Sequence, residues 1–120
     1  MQSKRIVPSS GQGDRAGRAL CGGFVEGCPG KPDLDAMLKA VTSETKVIFL
    51  NNPNNPTGAL LKHEEIYGFL RALPRDIVVA LDEAYIEFVT EAGAADGIRL
   101  LGENPMLIAL RTFSKLYGLA

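Results

Sequence analysis

Three times along this chain, a short apolar run gives way abruptly to polar residues, and this pattern most restricts the fold. Lys46-Val47-Ile48-Phe49-Leu50, Ile77-Val78-Val79-Ala80-Leu81 and Met106-Leu107-Ile108-Ala109-Leu110 are the three runs. Unbroken apolar runs of this length suit strands buried on both faces. They end in Asn51-Asn52-Pro53-Asn54-Asn55-Pro56-Thr57-Gly58, in Asp82-Glu83-Ala84-Tyr85 and in Arg111-Thr112-Phe113-Ser114-Lys115. Helical spacing separates them. Leu34, Met37, Leu38 and Val41 follow the i, i+3, i+4, i+7 rule behind a possible N-cap at Asp33. A second helix, about residues 62–73, would bury Ile66, Phe69, Leu70 and Leu73, with acidic Glu64 and Glu65 near its start and Pro74 stopping it. A weaker helix is expected over 93–103, with Ile98, Leu100 and Leu101 as its apolar positions. This α-β-α-β-α-β order implies an α/β fold, a mostly parallel sheet with crossover helices. Open α/β sheets take ligands outside the C-terminal ends of their strands. The segments 51–58, 82–85 and 111–115 should therefore converge on one ligand site.

Each segment carries suitable chemistry, and each has a plainer reading. A lysine such as Lys115 can form a Schiff base with a carbonyl ligand, or can simply be a surface lysine at a strand end. Asp82, closing an apolar strand, must be paired or solvated. It could partner a cationic ring nitrogen, cap a helix or form a surface ion pair. Tyr85 could donate its hydroxyl to an anionic oxygen or pack as a core tyrosine. The Asn-Pro-Thr-Gly loop is held by its prolines and offers amide donors such as that of Asn55. Thr112 and Ser114 lie on one face of extended backbone, so both hydroxyls could meet one phosphate.

Taken together, Asn54-Asn55-Pro56-Thr57-Gly58, Asp82-Glu83-Ala84-Tyr85-Ile86-Glu87-Phe88 and Arg111-Thr112-Phe113-Ser114-Lys115-Leu116-Tyr117-Gly118-Leu119-Ala120 resemble the fold-type-I aminotransferases that depend on pyridoxal 5'-phosphate (PLP), and among them the histidinol-phosphate aminotransferases. The resemblance covers about residues 33–120. It implies part of the large PLP-binding domain of such an enzyme. It implies that Lys115 binds the cofactor covalently and then moves the substrate proton. It gives Asp82 the role of keeping the pyridine nitrogen protonated, Asn55 and Tyr85 that of hydrogen-bonding the ring oxygen, and Thr112 and Ser114 that of binding the phosphate. The implied reaction passes an amino group between L-glutamate and imidazole-acetol phosphate, in histidine biosynthesis. The implied partners are small amino and oxo acids and, as is usual in the family, a second subunit of a homodimer. Another class I/II aminotransferase, a threonine-phosphate decarboxylase and a non-catalytic remnant stay open as alternatives.

Composition removes other classes. Of 120 residues, 46% are apolar and 22% charged, with a net charge of −1, so no basic surface for nucleic acid is expected. No run of about 18 apolar residues could cross a membrane, and no apolar core of a secretory signal follows Met1. A cytoplasmic location is expected. No metal site is expected, because His63 is the lone histidine and Cys21 and Cys28 fit neither zinc nor CxxC spacing. These cysteines read as ordinary thiols. Gly11, Gly13 and Gly17 miss the dinucleotide fingerprint in spacing and follow no convincing strand. Residues 1–32 lack sustained periodicity, and the expectation is an irregular or mis-framed segment ahead of a partial, truncated domain at 33–120. Such a piece would have open sheet edges and an open hydrophobic face, low stability and little or no turnover by itself.

Overall fold

The computed structural model describes residues 30–119 and, by their backbone alone, residues 5–7. Cys21, Cys28 and the glycines at 11, 13 and 17 lie outside the described residues. Four strands, β1 (Arg5–Val7), β2 (Thr45–Asn51), β3 (Val78–Asp82) and β4 (Leu107–Leu110), form one sheet in the order β1-β2-β3-β4. All three pairings are parallel. Parallel neighbours require crossovers, which contain the helices α1 (Leu34–Lys39), α2 (His63–Ala72) and α3 (Gly97–Leu100). β1 is a strand that periodicity does not reveal, since only three residues form it.

The helix ends follow from local chemistry. The Asp33 carboxylate accepts from the Ala36 N–H at 2.9 Å and caps α1, satisfying one of the amides that a helix start leaves open. Glu65 reaches back to the Lys62 N–H at 2.8 Å at the start of α2. After α2 the chain turns extended at Leu73 (φ −77°, ψ 147°), the conformation that a following proline favours. Helix α3 is shorter than the spacing predicts. Gly93 adopts φ +80°, and residues 93–95 pair with the chain before α2 instead: His63 N–H donates to Gly93 O and Ala95 N–H to Leu61 O, both at 3.1 Å. Of the three apolar positions expected there, Leu100 is buried while Ile98 and Leu101 are exposed.

One core lies against one face of the sheet. Ile48 and Leu50 of β2, Val79 and Leu81 of β3 and Leu107 of β4 meet Met37, Ile66, Phe69, Leu70 and Leu100 from the helices. Among the described residues the opposite face is open, as expected of a partial domain, while the apolar runs by themselves suggested burial on both sides. Phe49, Ile108 and Leu110 are on it, with 36%, 48% and 42% of their surfaces exposed. They are in register with Ala80 and Asp82 of β3, and the described helices gather their apolar residues on the other side. This two-sidedness positions the site. Successive strand residues point to opposite faces, so Asp82 falls on the open face and Glu83 on the core side.

Candidate functional site

The loop after β2 sorts its asparagines by role. Asn52 is buried, and its amide accepts from the Leu61 N–H at 2.7 Å and donates to Leu61 O at 3.3 Å, tying the start of the loop to its end. Asn54 is also buried and donates to Thr57 Oγ1 at 2.7 Å and to Gly30 O at 3.1 Å. Thr57 Oγ1 itself donates to Gly30 O at 2.8 Å. Gly30 has φ +90°, and a Cβ there would run into the Thr57 side chain; only glycine fits this close approach. Asn52 and the Asn54 amide nitrogen are thus occupied in building the loop, while Asn54 Oδ1 is buried with no hydrogen-bond partner among the described residues. Asn55 is exposed, and its side chain has no hydrogen-bond partner among the described residues.

Asn55 and Tyr85 line one open cavity of ≈ 480 Å³ between the 53–60 loop and the 85–91 segment. The Tyr85 ring packs against Phe88 at 6.2 Å, and residues 86–88 form a 3-10 turn that the sequence does not announce. Lys115 Nζ stands 5.4 Å from the centroid of the Tyr85 ring, a cation–π distance. Thr112 Oγ1 and Ser114 Oγ are 2.8 Å apart, and the Ser114 N–H donates to Thr112 Oγ1 at 3.1 Å. The Asp82 carboxylate accepts from the Ala84 N–H at 3.0 Å, turning the chain at the end of β3. The structure therefore brings together Asn55 with Tyr85, Tyr85 with Lys115, and Thr112 with Ser114. The Asp82 side chain makes no hydrogen bond or ion pair with the other five among the described residues; strand register sets it beside them.

Sequence reasoning assigned no role to Glu83 or Arg111. Glu83 is fully buried. Its carboxylate accepts from the Gly97 N–H at 2.6 Å and from Arg111 Nε at 2.9 Å. Arg111 also reaches Asp96 Oδ1 at 2.7 Å. Burial pushes the Glu83 carboxyl above the usual range, against the pull of the Gly97 N–H and Arg111. Burial also opposes the Arg111 charge, but Glu83 and Asp96 outweigh it and hold the guanidinium above its ordinary value. A signal for the pair was present: Glu83, just past β3, continues the alternation of Val79 and Leu81, and Arg111, just past β4, that of Leu107 and Ala109, so opposite charges sit at neighbouring core-side positions.

The arrangement presents a primary amine, a carboxylate, a phenol, an amide and two hydroxyls around the C-terminal ends of β2, β3 and β4. In such a set an amine can attack a carbonyl and hydroxyls can hydrogen-bond an anionic group. Among the described residues, no helix is long and apolar enough to cross a membrane.

Residues 19–120 match the family described as aminotransferase class I and II. An aromatic amino acid aminotransferase of Rhodococcus jostii is 56% identical over 88 residues, 73% of this chain and 24% of its own length. A histidinol-phosphate aminotransferase of Methylococcus capsulatus is 51% identical over the same extent. The chain thus spans about a quarter of the length of the curated relatives it matches. Among solved structures, the histidinol-phosphate aminotransferase of Sinorhizobium meliloti in complex with pyridoxal-5'-phosphate aligns with a TM-score of 0.68 and 39% identity, over 77% of this chain and 25% of that one.

Proposed function

Since the chain belongs to the aminotransferase class I and II family, we propose that it carries the cofactor-binding part of a PLP-dependent transaminase acting on amino and oxo acids. The observation that carries this reading is the approach of Lys115 Nζ to the Tyr85 ring, at the edge where Asn55 and Tyr85 share a cavity. The donor set fits the cofactor. Lys115 would hold it through its amine, and Asp82 would face the pyridine nitrogen. The Tyr85 hydroxyl and Asn55 amide would reach the ring oxygen, and Thr112 and Ser114 would bind the phosphate. When bound, PLP supplies an electron sink for the bond broken at the amino-acid carbon.

The protein's own part is to bind, orient and carry protons. Asp82 keeps a positive charge on the ring nitrogen by offering a carboxylate to it. Tyr85 and Asn55 would donate to the ring oxygen and orient the ring. Lys115 would also serve as the base at the substrate proton. The exposed edge of the cavity leaves room for an amino acid to enter.

For the substrates, we propose imidazole-acetol phosphate as amino acceptor and L-glutamate as donor, giving L-histidinol phosphate and 2-oxoglutarate reversibly, supported by the motif resemblance and by the Sinorhizobium meliloti structure. A second reading, aromatic amino acids, is favoured by the 56% identity to the Rhodococcus jostii enzyme. We also propose that the chain pairs with a second copy, as the family does, which sedimentation can test. A single half-reaction decides the substrate. The PLP-loaded chain is mixed with L-histidinol phosphate or with L-phenylalanine, and the bound cofactor is analysed for its aminated form. Slow conversion by histidinol phosphate alone supports the first reading, and conversion by phenylalanine alone supports the second. Release of carbon dioxide from threonine phosphate without amination of the cofactor would overturn both.

A further inference from the structure

Glu83 is the only charged residue in the buried set among the described residues, and it directly follows Asp82. On the core side of the sheet its carboxylate bonds the Gly97 N–H and Arg111 Nε. Its own N–H donates to Leu110 O at 2.8 Å. Arg111 directly precedes Thr112 and bridges onward to Asp96. Gly97 leaves room for this: a Cβ there would lie 2.8 Å from Glu83 Oε2 and 2.9 Å from the Ala109 Cβ.

We propose that Glu83 is a positioning residue for the cofactor site, gripping Arg111 from behind the sheet so that Asp82 and the 112–115 segment meet one ligand. The proposal rests on the reading that Asp82 and Lys115 hold PLP. The chemistry of the pair argues for direction rather than for stability. A buried ion pair usually adds little net stability over an apolar pair of the same size, because both charges lose their water. What it supplies is geometry. The guanidinium is a rigid fork, here holding carboxylates on two separate elements. Asp82 is one residue from one end of the grip and Thr112 is one residue from the other. A small rotation of either strand end would therefore move the ligand-facing residues directly.

The test compares the full chain with Glu83→Gln, with Arg111→Lys and with the double variant Glu83→Leu/Arg111→Met. Three quantities are read: the urea midpoint without cofactor, the Kd for PLP by absorbance titration corrected for the folded fraction, and the yield of PLP fixed on Lys115 by borohydride. The double variant separates folding from positioning, since it fills the space with apolar atoms and should keep or raise the urea midpoint. The expected result is a Kd raised roughly tenfold or more in Glu83→Gln and in the double variant, the scale of one misaligned charged hydrogen bond. Arg111→Lys, which keeps the charge but not the fork, should fall between. A double variant that folds and binds PLP like the unaltered chain overturns the positioning role and leaves the cofactor reading intact. An affinity loss that only follows unfolding overturns it equally. If the unaltered chain takes no PLP on Lys115, the cofactor reading fails and the proposal falls with it.

Discussion

The Lys115 ammonium sits over the face of the Tyr85 ring, 5.4 Å from its centroid, although thirty residues separate them in the chain. The parallel pairing of β3 with β4 causes this, because both residues lie just past the ends of neighbouring strands. Tyr85→Phe keeps the ring and removes the hydroxyl. Stability should change by no more than about 0.5 kcal/mol, as for a surface polar group with no buried partner. The affinity for PLP should fall several-fold in an absorbance titration. An unchanged affinity would remove the hydroxyl from the proposed site.

Asp82→Asn preserves the size of the side chain and an oxygen that can accept from the Ala84 N–H. The fold should therefore survive. The charge proposed to face the ring nitrogen is lost, and a hydrogen bond to a charged group contributes about 1.5–3 kcal/mol. PLP binding should weaken by roughly tenfold to a hundredfold, with a urea midpoint close to that of the unaltered chain.

Gly97→Ala tests how tightly β4, α3 and Glu83 are packed. The added methyl would meet Glu83 Oε2 and the Ala109 Cβ at 2.8 and 2.9 Å. Neither neighbour can move without disturbing the Arg111 grip, so a cost of about 1–3 kcal/mol is expected from overpacking. Leu81→Ala, in a fully buried position, should cost more, about 2–5 kcal/mol through lost burial and the cavity left behind. Urea denaturation of the two variants gives both numbers.

Two carboxylates should shape the pH dependence of stability in opposite ways. In Glu65, burial raises the carboxyl's pKa, but the Lys31 hydrogen bond, the Lys62 N–H and both lysine charges outweigh it and hold it below 4.5. Its contribution is present above pH 4.5 and is lost as the pH falls through the lowered value. Glu83 is held above 4.5 by burial. Its contribution is complete below pH 4.5 and declines as the pH rises through the raised value. Glu65→Gln should flatten the acid limb of a stability profile, and Glu83→Gln should flatten the decline on the other side.

Much of the fold was legible because period and punctuation agree. The N-cap at Asp33, the buried face of α2, the stop at Pro74 and the three longer strands all follow from residue spacing. Other features depend on contacts between distant segments. Nothing near residue 93 shows that Gly93–Ala95 will pair with Leu61–His63, which is why α3 is shorter than its apolar positions suggest. The open face beside Phe49 follows from the partial extent of the domain rather than from the apolar runs, since a continuous apolar run looks the same whether one side or both are covered. In the site, residue type pointed to Lys115, Tyr85 and Asn55, and the structure groups them. Asn55 was singled out by the motif resemblance, whereas the loop-building contacts of Asn52 and Asn54 needed the structure. Glu83 and Arg111 went unread although their register with core positions was visible in the sequence.

The central claim is that Lys115 is the residue that takes the cofactor. The direct measurement incubates the chain with PLP, reduces it with borohydride, digests it and locates the added pyridoxyl group by mass spectrometry. The account predicts that the label lies on Lys115 far more than on Lys31, Lys39, Lys46 or Lys62, and that Asp82→Asn reduces it. A label spread evenly over the lysines, or one that persists undiminished on the other lysines and spares Lys115, would contradict it.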